Sequence, residues 1–178
     1  MCVCELNQKS LFWIQSRIKL VDKGAKTKPE QLITFRMISI TRIFSKLYHS
    51  IISDEITSFV LKNNYINLNI QKAFIRNISG CIEHCCALLE AIKDAKRHRK
   101  TLYATNFDLS DAYGSVPHNL IHLALEHYHL PPETSEYISN LYSQICGCVE
   151  TTNWSTKIFD ISTGLFQGDT LSQIIFLL

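Results

Sequence analysis

Two carboxylates, Asp108 and Asp111, lie where an uncharged run rich in β-forming side chains, residues 101–107, gives way to a turn. Such a run predicts a strand. A carboxylate at the end of a buried strand is held by the sheet yet faces a cleft. Oxygen ligands in that position suit Mg²⁺, which keeps waters that a phosphate can replace. The local pattern leaves a plainer alternative open, in which Asp108 caps a turn and Asp111 is solvated.

A helix is predicted directly after these carboxylates. Pro117 suits the first helical position, and Ser110 or Ser115 could cap the helix. Between Asn119 and His129, side chains recur on one face at helical spacing, and the pattern predicts that this face is buried. Its members are Leu120, Leu123, Ala124 and His127.

A second segment with chemical potential is the polar loop 164–172, which opens the apolar run 174–178. Its Thr170-Leu171-Ser172-Gln173 matches a capping box, in which the first residue caps a helix and the fourth reaches back. The sequence therefore predicts a helix that begins with Thr170 as its cap.

Taken together, FDLSDAYGSVPH (107–118) and GLFQGDTLS (164–172) resemble the first two palm motifs of reverse transcriptases, most closely those of LINE-type (non-long-terminal-repeat) retrotransposons. Both motifs are long, and they occur in the family's order. Upstream, FRMISI (35–40) resembles a fingers motif, with Met37 where the family has Pro. Residues 69–80 resemble a template-approaching loop, with Ala73 in place of Gly. The second motif has Thr170 and Gln173 at family Pro positions. The resemblance covers residues 18–178.

The resemblance implies an RNA-directed DNA polymerase that transfers a nucleotide to a primer 3′-hydroxyl with two metal ions. Asp108 would be the catalytic carboxylate and, with the carbonyl of Leu109, a Mg²⁺ ligand. Tyr113 would exclude a ribose 2′-hydroxyl. The residues implied at the deoxynucleoside triphosphate are Arg36, Asp111, Ala112, Tyr113, Gln167 and Gly168. Those expected at the RNA template and DNA primer are Lys23, Lys26, Gln71, Lys96, Arg97, Arg99 and Lys100.

Composition sets wider bounds. The chain has 178 residues, of which 46% are hydrophobic and 19% charged, so one domain with a real core is expected. A net charge of +2 does not by itself indicate a nucleic-acid partner. Seven cysteines, an odd number without a secretory segment, predict a reducing intracellular compartment. Buried thiols are a better interpretation of Cys81 and Cys85 than a zinc site with His84. No membrane span is expected.

The resemblance implies an α+β fold in which a small antiparallel sheet is backed by helices, and periodicity predicts its individual strands and helices. The expected strands cover 12–21, 35–40, 146–151 and 157–162, besides 101–107. The expected helices cover 42–61, 81–96, 119–129 and 133–145. The helix over 81–96 is expected to bury Ile82, Cys85, Leu88, Leu89 and Ile92. Residues 1–17 would be a flank, and 18–178 the fingers and first part of the palm of a right-hand polymerase.

The family's other metal carboxylates lie in a Tyr/Phe-x-Asp-Asp hairpin that is absent from this sequence, as is a thumb. The chain is therefore expected to be a truncated domain that does not polymerise alone. A non-catalytic nucleic-acid-binding remnant is one alternative. Another is a metal-dependent hydrolase using Asp108, Asp111 and Asp169, although no His or Glu in a matching motif supplies its base. A fragment that does not fold stably is a third. The sequence makes no prediction about oligomeric state.

Overall fold

A computed structural model describes residues 14–24, 35–75 and 78–178, and within them a sheet of four strands. The strands are β1 (Gln15–Asp22), β2 (Phe35–Ile40), β3 (Cys146–Val149) and β4 (Phe159–Asp160), in the order β2-β1-β3-β4. The two predicted hairpins are confirmed, since β1 pairs antiparallel with β2 and β3 with β4. The prediction of a small antiparallel sheet holds for these two pairs, but the sheet as a whole is mixed. Strands β1 and β3 run parallel, which requires the long helical connection between them.

Five helices occur in the described residues: α1 (Ile43–Lys62), α2 (Gly80–Arg97), α3 (His118–His127), α4 (Pro132–Gln144) and α5 (Thr170–Leu177). The first four lie within two residues of their predicted bounds. With the mixed sheet they make an α+β architecture, as the sequence predicted.

The hydrophobic core lies where four of these helices meet. Helix α1 packs against α5, and α3 packs against α4. Full burial of each aliphatic side chain stabilises the fold by about 1.5–3 kcal/mol. The core therefore fixes α5 and the loop that leads into it. Its members on the helices are Ile52, Ile56, Val60, Ile121, Leu125, Ile138, Leu141, Tyr142, Leu171, Ile174 and Ile175.

Helix α2 stands apart from this core, and its predicted buried face is exposed. Gly80 is its one buried residue, whereas Ile82 is 67% exposed and Leu89 is 54% exposed. The expectation of buried thiols is also wrong here, because Cys81, Cys85 and Cys86 are exposed. The sequence periodicity was sufficient for a helix, but no other described element covers its apolar side.

Residues 101–109 form neither helix nor strand, so the predicted strand is wrong. Tyr103 is 89% exposed and Phe107 94% exposed. A strand needs a neighbour that pairs its backbone N–H and C=O groups, and β-forming side chains alone do not supply one. No described strand lies beside this segment.

Helix α3 begins one residue later than Pro117, which has an extended backbone and acts as the N-cap. No side chain caps this terminus, so neither Ser110 nor Ser115 has the expected role. The buried residues are Ile121 and Leu125, one position away from the predicted face. Packing against α4 selects them, whereas Leu120 and Leu123 are more than half exposed.

The capping box predicted at α5 is wrong as well. Asp169 occupies the N-cap position, and Thr170 is the first helical residue. The Thr170 hydroxyl donates instead to the backbone carbonyl of Lys46, at 3.4 Å. This contact ties the start of α5 to α1.

Candidate functional site

A cavity of about 340 Å³ opens between the β1–β2 hairpin, the turn of the first motif and the loop of the second motif. It brings together residues that are more than a hundred positions apart in the sequence. Its lining is largely apolar but includes side chains with a charge or a hydrogen-bonding group. These are Lys23, Ser39, Asp111, Tyr113, Ser162, Thr163 and Gln167.

The first motif reaches the cavity through a tight turn. Asp111 has a positive φ of 49°, and its carbonyl accepts a hydrogen bond from the Ser115 N–H at 2.9 Å. A Cβ on Gly114 would collide with the Asp111 carboxyl group, so a larger residue there would require the Asp111 side chain to move. The turn therefore places Asp111 and Tyr113 on the cavity wall.

Backbone hydrogen bonds join the two motifs. The Leu165 N–H donates to the Tyr113 carbonyl at 2.8 Å, and the Gly164 N–H donates to the Val116 carbonyl at 2.8 Å. The His118 ring Nε2 lies 3.0 Å from the Gly164 carbonyl, within hydrogen-bonding distance. The two segments that the sequence singled out are thus neighbours, although 46 residues separate His118 from Gly164.

The second-motif loop is also fixed to the hairpin. The Ser39 N–H on β2 donates to the Gln167 carbonyl at 2.8 Å. Gly168 has φ +114°, and a Cβ there would lie 3.0 Å from the Ser39 carbonyl oxygen. Both the backbone conformation and the close approach of β2 therefore favour glycine.

Tyr113 forms part of the cavity wall with a fixed ring orientation. Its ring stacks on Phe176 of α5, with centroids 4.9 Å apart and planes 12° from parallel. Burial raises the pKa of the Tyr113 phenol, which stays protonated at neutral pH.

Asp108 and Leu109 lie elsewhere. Both are exposed on the irregular segment, and neither is among the described residues that line the cavity. Within 14–24, 35–75 and 78–178, no three His, Cys, Asp or Glu side chains are grouped to hold a metal ion. The structure therefore does not bring Asp108 together with Tyr113 and Gln167.

The remaining predicted residues are scattered. Arg36 is exposed on β2, where it pairs with Val21 of β1, and it is not among the described residues that line the cavity. Ala112 is half-buried in the first-motif turn, and Gly168 is exposed beside Gln167. The Gln71 side chain donates to the Ala73 carbonyl at 3.3 Å.

The cationic residues predicted at nucleic acid fall into two groups. Lys23 lines the cavity, whereas Lys26 lies outside the described residues. The others are exposed at the C-terminal end of α2: Lys96, Arg97, Arg99 and Lys100.

Sequence reasoning missed a buried polar pair behind the loop. Asp169 is 2% exposed, and both carboxylate oxygens lie 2.9 Å from Nδ1 of His49 on α1. Asp169 faces the core, so it is unsuited to the hydrolase alternative. The sequence signal that could have indicated this pair is the helical spacing of His49, which places it on the buried face of α1. The other buried residues of that face are Ser45, Ile52, Ile56 and Val60.

Residues 25–178 match the family described as "Reverse transcriptase (RNA-dependent DNA polymerase)". The chain belongs to the reverse transcriptase family. This match covers the β2 strand, all five helices and both motifs, and the family implies the reverse transcriptase polymerase fold. Reverse transcriptases generally use a divalent metal ion and act on a nucleic-acid template and primer with nucleotide substrates.

This reverse transcriptase domain is similar to curated proteins of insect retrotransposable elements. It is 26% identical over 161 residues to the "Retrovirus-related Pol polyprotein from type-2 retrotransposable element R2DM" of Drosophila melanogaster, covering 90% of this chain and 14% of that protein. It is 29% identical over 164 residues to the type-1 element R2 polyprotein of Nasonia vitripennis, and the match covers 92% of this chain and 15% of that protein. It is 27% identical over 165 residues to the type-1 element R2 polyprotein of Popillia japonica, and the match covers 92% of this chain and 22% of that protein.

The predicted resemblance to LINE-type reverse transcriptases is therefore confirmed. The chain spans about a seventh to a fifth of the length of these relatives. Across the described parts of this domain, no helix combines the length and apolar character needed to cross a bilayer.

Proposed function

We propose that this chain provides the fingers and first part of the palm of a LINE-type RNA-directed DNA polymerase, and that its cavity receives the incoming deoxynucleoside triphosphate. The main support is the convergence of Lys23, Tyr113 and Gln167 on one cavity, in a chain of this family. The hairpin and both motifs each contribute a wall. Nucleotidyl transfer to a primer 3′-hydroxyl is the reaction that such a domain serves.

The chemistry of the cavity suits a nucleotide. The Lys23 ammonium group offers a positive charge to phosphate oxygens, and the family resemblance implies that backbone amides at Asp111 and Ala112 donate to them. The Tyr113 ring, fixed by Phe176, presents a flat surface to the sugar. A ribose 2′-hydroxyl would meet this ring, so the cavity favours deoxynucleotides. Arg36 would approach the triphosphate from the exposed edge of β2.

Asp108 and Leu109 would supply two of the oxygen ligands of a Mg²⁺ site, although among the described residues Asp108 belongs to no group of three metal-binding side chains. Both supply oxygen donors, the ligands that Mg²⁺ prefers, and their exposure leaves room for water and phosphate ligands. When bound, divalent ions in such a site neutralise the triphosphate and favour ionisation of the attacking hydroxyl. The second set of family carboxylates would have to come from a Tyr/Phe-x-Asp-Asp hairpin, which this sequence does not contain.

Equilibrium binding tests the proposed cavity. We expect saturable binding of a deoxynucleoside triphosphate with Mg²⁺, measured by titration calorimetry. Lys23→Ala should weaken it roughly ten-fold, as expected when a charge-assisted contact is lost. Tyr113→Ala should raise affinity for the matching ribonucleotide. Lys93→Ala is the matched control, because Lys93 pairs with Glu90 on α2 and lies outside the cavity. Equal effects of the two lysine changes would contradict the proposal.

Primer extension tests the polymerase itself. We expect no sustained extension of primed RNA by this chain alone, with Mg²⁺ and deoxynucleotides, because a single family carboxylate cannot hold two metal ions. Sustained extension would show that the metal site is more complete than proposed.

Nucleic-acid binding without catalysis is the second candidate, favoured by the exposed cations Lys96, Arg97, Arg99 and Lys100. Each phosphate contact adds about 0.7–0.9 to the slope of log affinity against log salt. Replacing these four residues by Ala should flatten that slope for a primer–template duplex. An unchanged slope would place the contacts elsewhere.

A further inference from the structure

A buried polar cluster lies directly behind the cavity and takes no part in the proposed nucleotide contacts. His49 on α1 has no exposed surface, and its partner Asp169 is 2% exposed. Nδ1 of His49 lies 2.9 Å from both carboxylate oxygens of Asp169, and Nε2 lies 2.8 Å from the Tyr137 hydroxyl on α4. The cluster therefore links α1, α4 and the start of α5.

The proton positions in this cluster follow from its chemistry. Burial, reinforced by Tyr48 and then by Asp169, raises the pKa of Tyr137, so its hydroxyl stays protonated. With a proton on Nδ1, His49 donates to the Asp169 carboxylate oxygens, which accept. In this tautomer, Nε2 accepts from the Tyr137 hydroxyl. Each buried polar atom of the histidine has a partner.

Asp169 is also the residue next to the cavity loop. It precedes α5 as the N-cap, and it follows Gln167 and Gly168 directly. One side of the loop is held by the Ser39–Gln167 hydrogen bond. The other side is held at Asp169 by His49 and at Thr170 by the carbonyl of Lys46, one turn before His49 on α1.

We propose that His49 and Asp169 are positioning residues for the nucleotide cavity. A carboxylate that is buried without a partner is strongly disfavoured, so loss of the His49 hydrogen bond would drive Asp169 toward water. Movement of Asp169 carries Gln167 and Gly168 with it and distorts the cavity wall. The functional half of this inference rests on the proposed nucleotide site; the structural half does not.

Two substitutions of His49 distinguish this role from simple packing. The amide nitrogen of Asn occupies nearly the position of Nδ1, so His49→Asn keeps a donor to Asp169 but loses Tyr137. The amide of Gln reaches the position of Nε2, so His49→Gln keeps Tyr137 but loses the donor to Asp169. Asn is the smaller residue and leaves the larger cavity, so packing alone would make His49→Asn the worse variant.

Amide hydrogen exchange over residues 167–170 is the direct measurement. We expect His49→Gln to speed exchange there about ten-fold or more relative to the rest of the core. His49→Asn should exchange at nearly the same rate as the unsubstituted chain. Ile138→Val is the matched control, because it removes a fully buried methyl group from the core on α4 without removing a hydrogen bond. The control should leave loop exchange unchanged. Equal exchange in the Asn and Gln variants, or faster exchange in Asn, would overturn the proposal.

Nucleotide titration of the same variants separates this inference from the proposed function. We expect His49→Gln to weaken deoxynucleotide binding about ten-fold and His49→Asn to weaken it far less. If the unchanged chain binds no nucleotide, the proposed function fails, and the exchange experiment still decides whether His49 positions the loop. If nucleotide binds and both variants bind it equally well, the positioning inference fails alone.

Discussion

Helices α1 and α2 are nearly equal in length, at 20 and 18 residues, and both carry apolar side chains at helical spacing. Only α1 is part of the core. It buries Ile52, Ile56 and Val60, whereas the single buried residue of α2 is Gly80. The comparison shows that periodicity predicts a helix but does not identify what covers its apolar face.

The two motifs differ in the same way. The second-motif loop belongs to the buried region, where hydrogen bonds to β2, α1 and the first motif hold it. The first motif lies partly in the buried region and partly outside it. Tyr113 packs on Phe176, whereas Asp108 lies on the exposed segment after α2. The nucleotide wall is therefore formed by the folded region, and the proposed metal ligand is not fixed by it.

A matched pair of leucines tests this contrast most strongly. Leu171→Ala on α5, at a site with no exposed surface, should lower the free energy of unfolding by about 2–5 kcal/mol. Leu89→Ala on α2, at a site 54% exposed, should change it by less than about 0.5 kcal/mol. Urea unfolding measures both. A large loss at Leu89 would mean that α2 is buried in solution.

Alkaline pH should destabilise the buried region through its tyrosines. Burial is the first cause that raises the pKa of both Tyr137 and Tyr142 above the ordinary value of 10.0. The folded state therefore holds these protons more tightly than the unfolded chain does. Their contribution to stability is complete below pH 10 and is lost as pH rises above it, by about 1.4 kcal/mol per pH unit for each tyrosine.

Urea unfolding between pH 9 and pH 11 measures this loss. Tyr142→Phe should remove part of the slope, because phenylalanine does not titrate. A stability that stays constant across this range would contradict burial of these phenols.

Two glycines with positive φ give an intermediate effect. Gly168→Ala should cost about 1–3 kcal/mol, because its Cβ would approach the Ser39 carbonyl oxygen in addition to the backbone strain. Gly24 has φ +67°, and a Cβ added there would meet no atom within 4 Å. Gly24→Ala should therefore lower the free energy of unfolding by about 1 kcal/mol, through backbone strain alone. Denaturant unfolding should rank the two. The reverse order would mean that β2 does not lie against the loop.

The smallest effect on stability is expected at the proposed metal ligand. Asp108→Asn alters an exposed side chain and should change the free energy of unfolding by less than about 0.5 kcal/mol. The same change should weaken the dependence of nucleotide affinity on Mg²⁺, as measured by titration at several metal concentrations. An unchanged Mg²⁺ dependence would remove Asp108 from the proposed site.

Much of the fold could be predicted from the sequence, because local patterns determine much of it. Helix α4 and the β3–β4 hairpin lie close to their expected positions, since their periodicity, Pro132 and the Asn153–Ser155 turn act locally. The parallel pairing of β1 with β3 could not be predicted, because it joins residues more than a hundred positions apart. The strand expected over 101–107 failed because strand formation depends on a pairing partner.

The candidate site was predicted in part. Both motifs were recognised, and hydrogen bonds between their backbones confirm that they are neighbours. The His49–Asp169 pair could not be found from motif spacing, because a histidine on an apolar helix face is indistinguishable in sequence from a packed core residue. The capping role assigned to Thr170 failed because the carbonyl of Lys46 on α1, a tertiary partner, accepts its hydroxyl.

The exposed thiols of α2 give the chain a native chemical reporter. Cys81, Cys85 and Cys86 are open to an alkylating reagent, whereas burial raises the pKa of Cys146 and slows its reaction. Mapping alkylated peptides by mass spectrometry over time would therefore separate a fast group on α2 from a slow one on β3. Any polypeptide or nucleic acid that covers α2 would slow the fast group selectively, so docking on this helix can be followed without introducing a label.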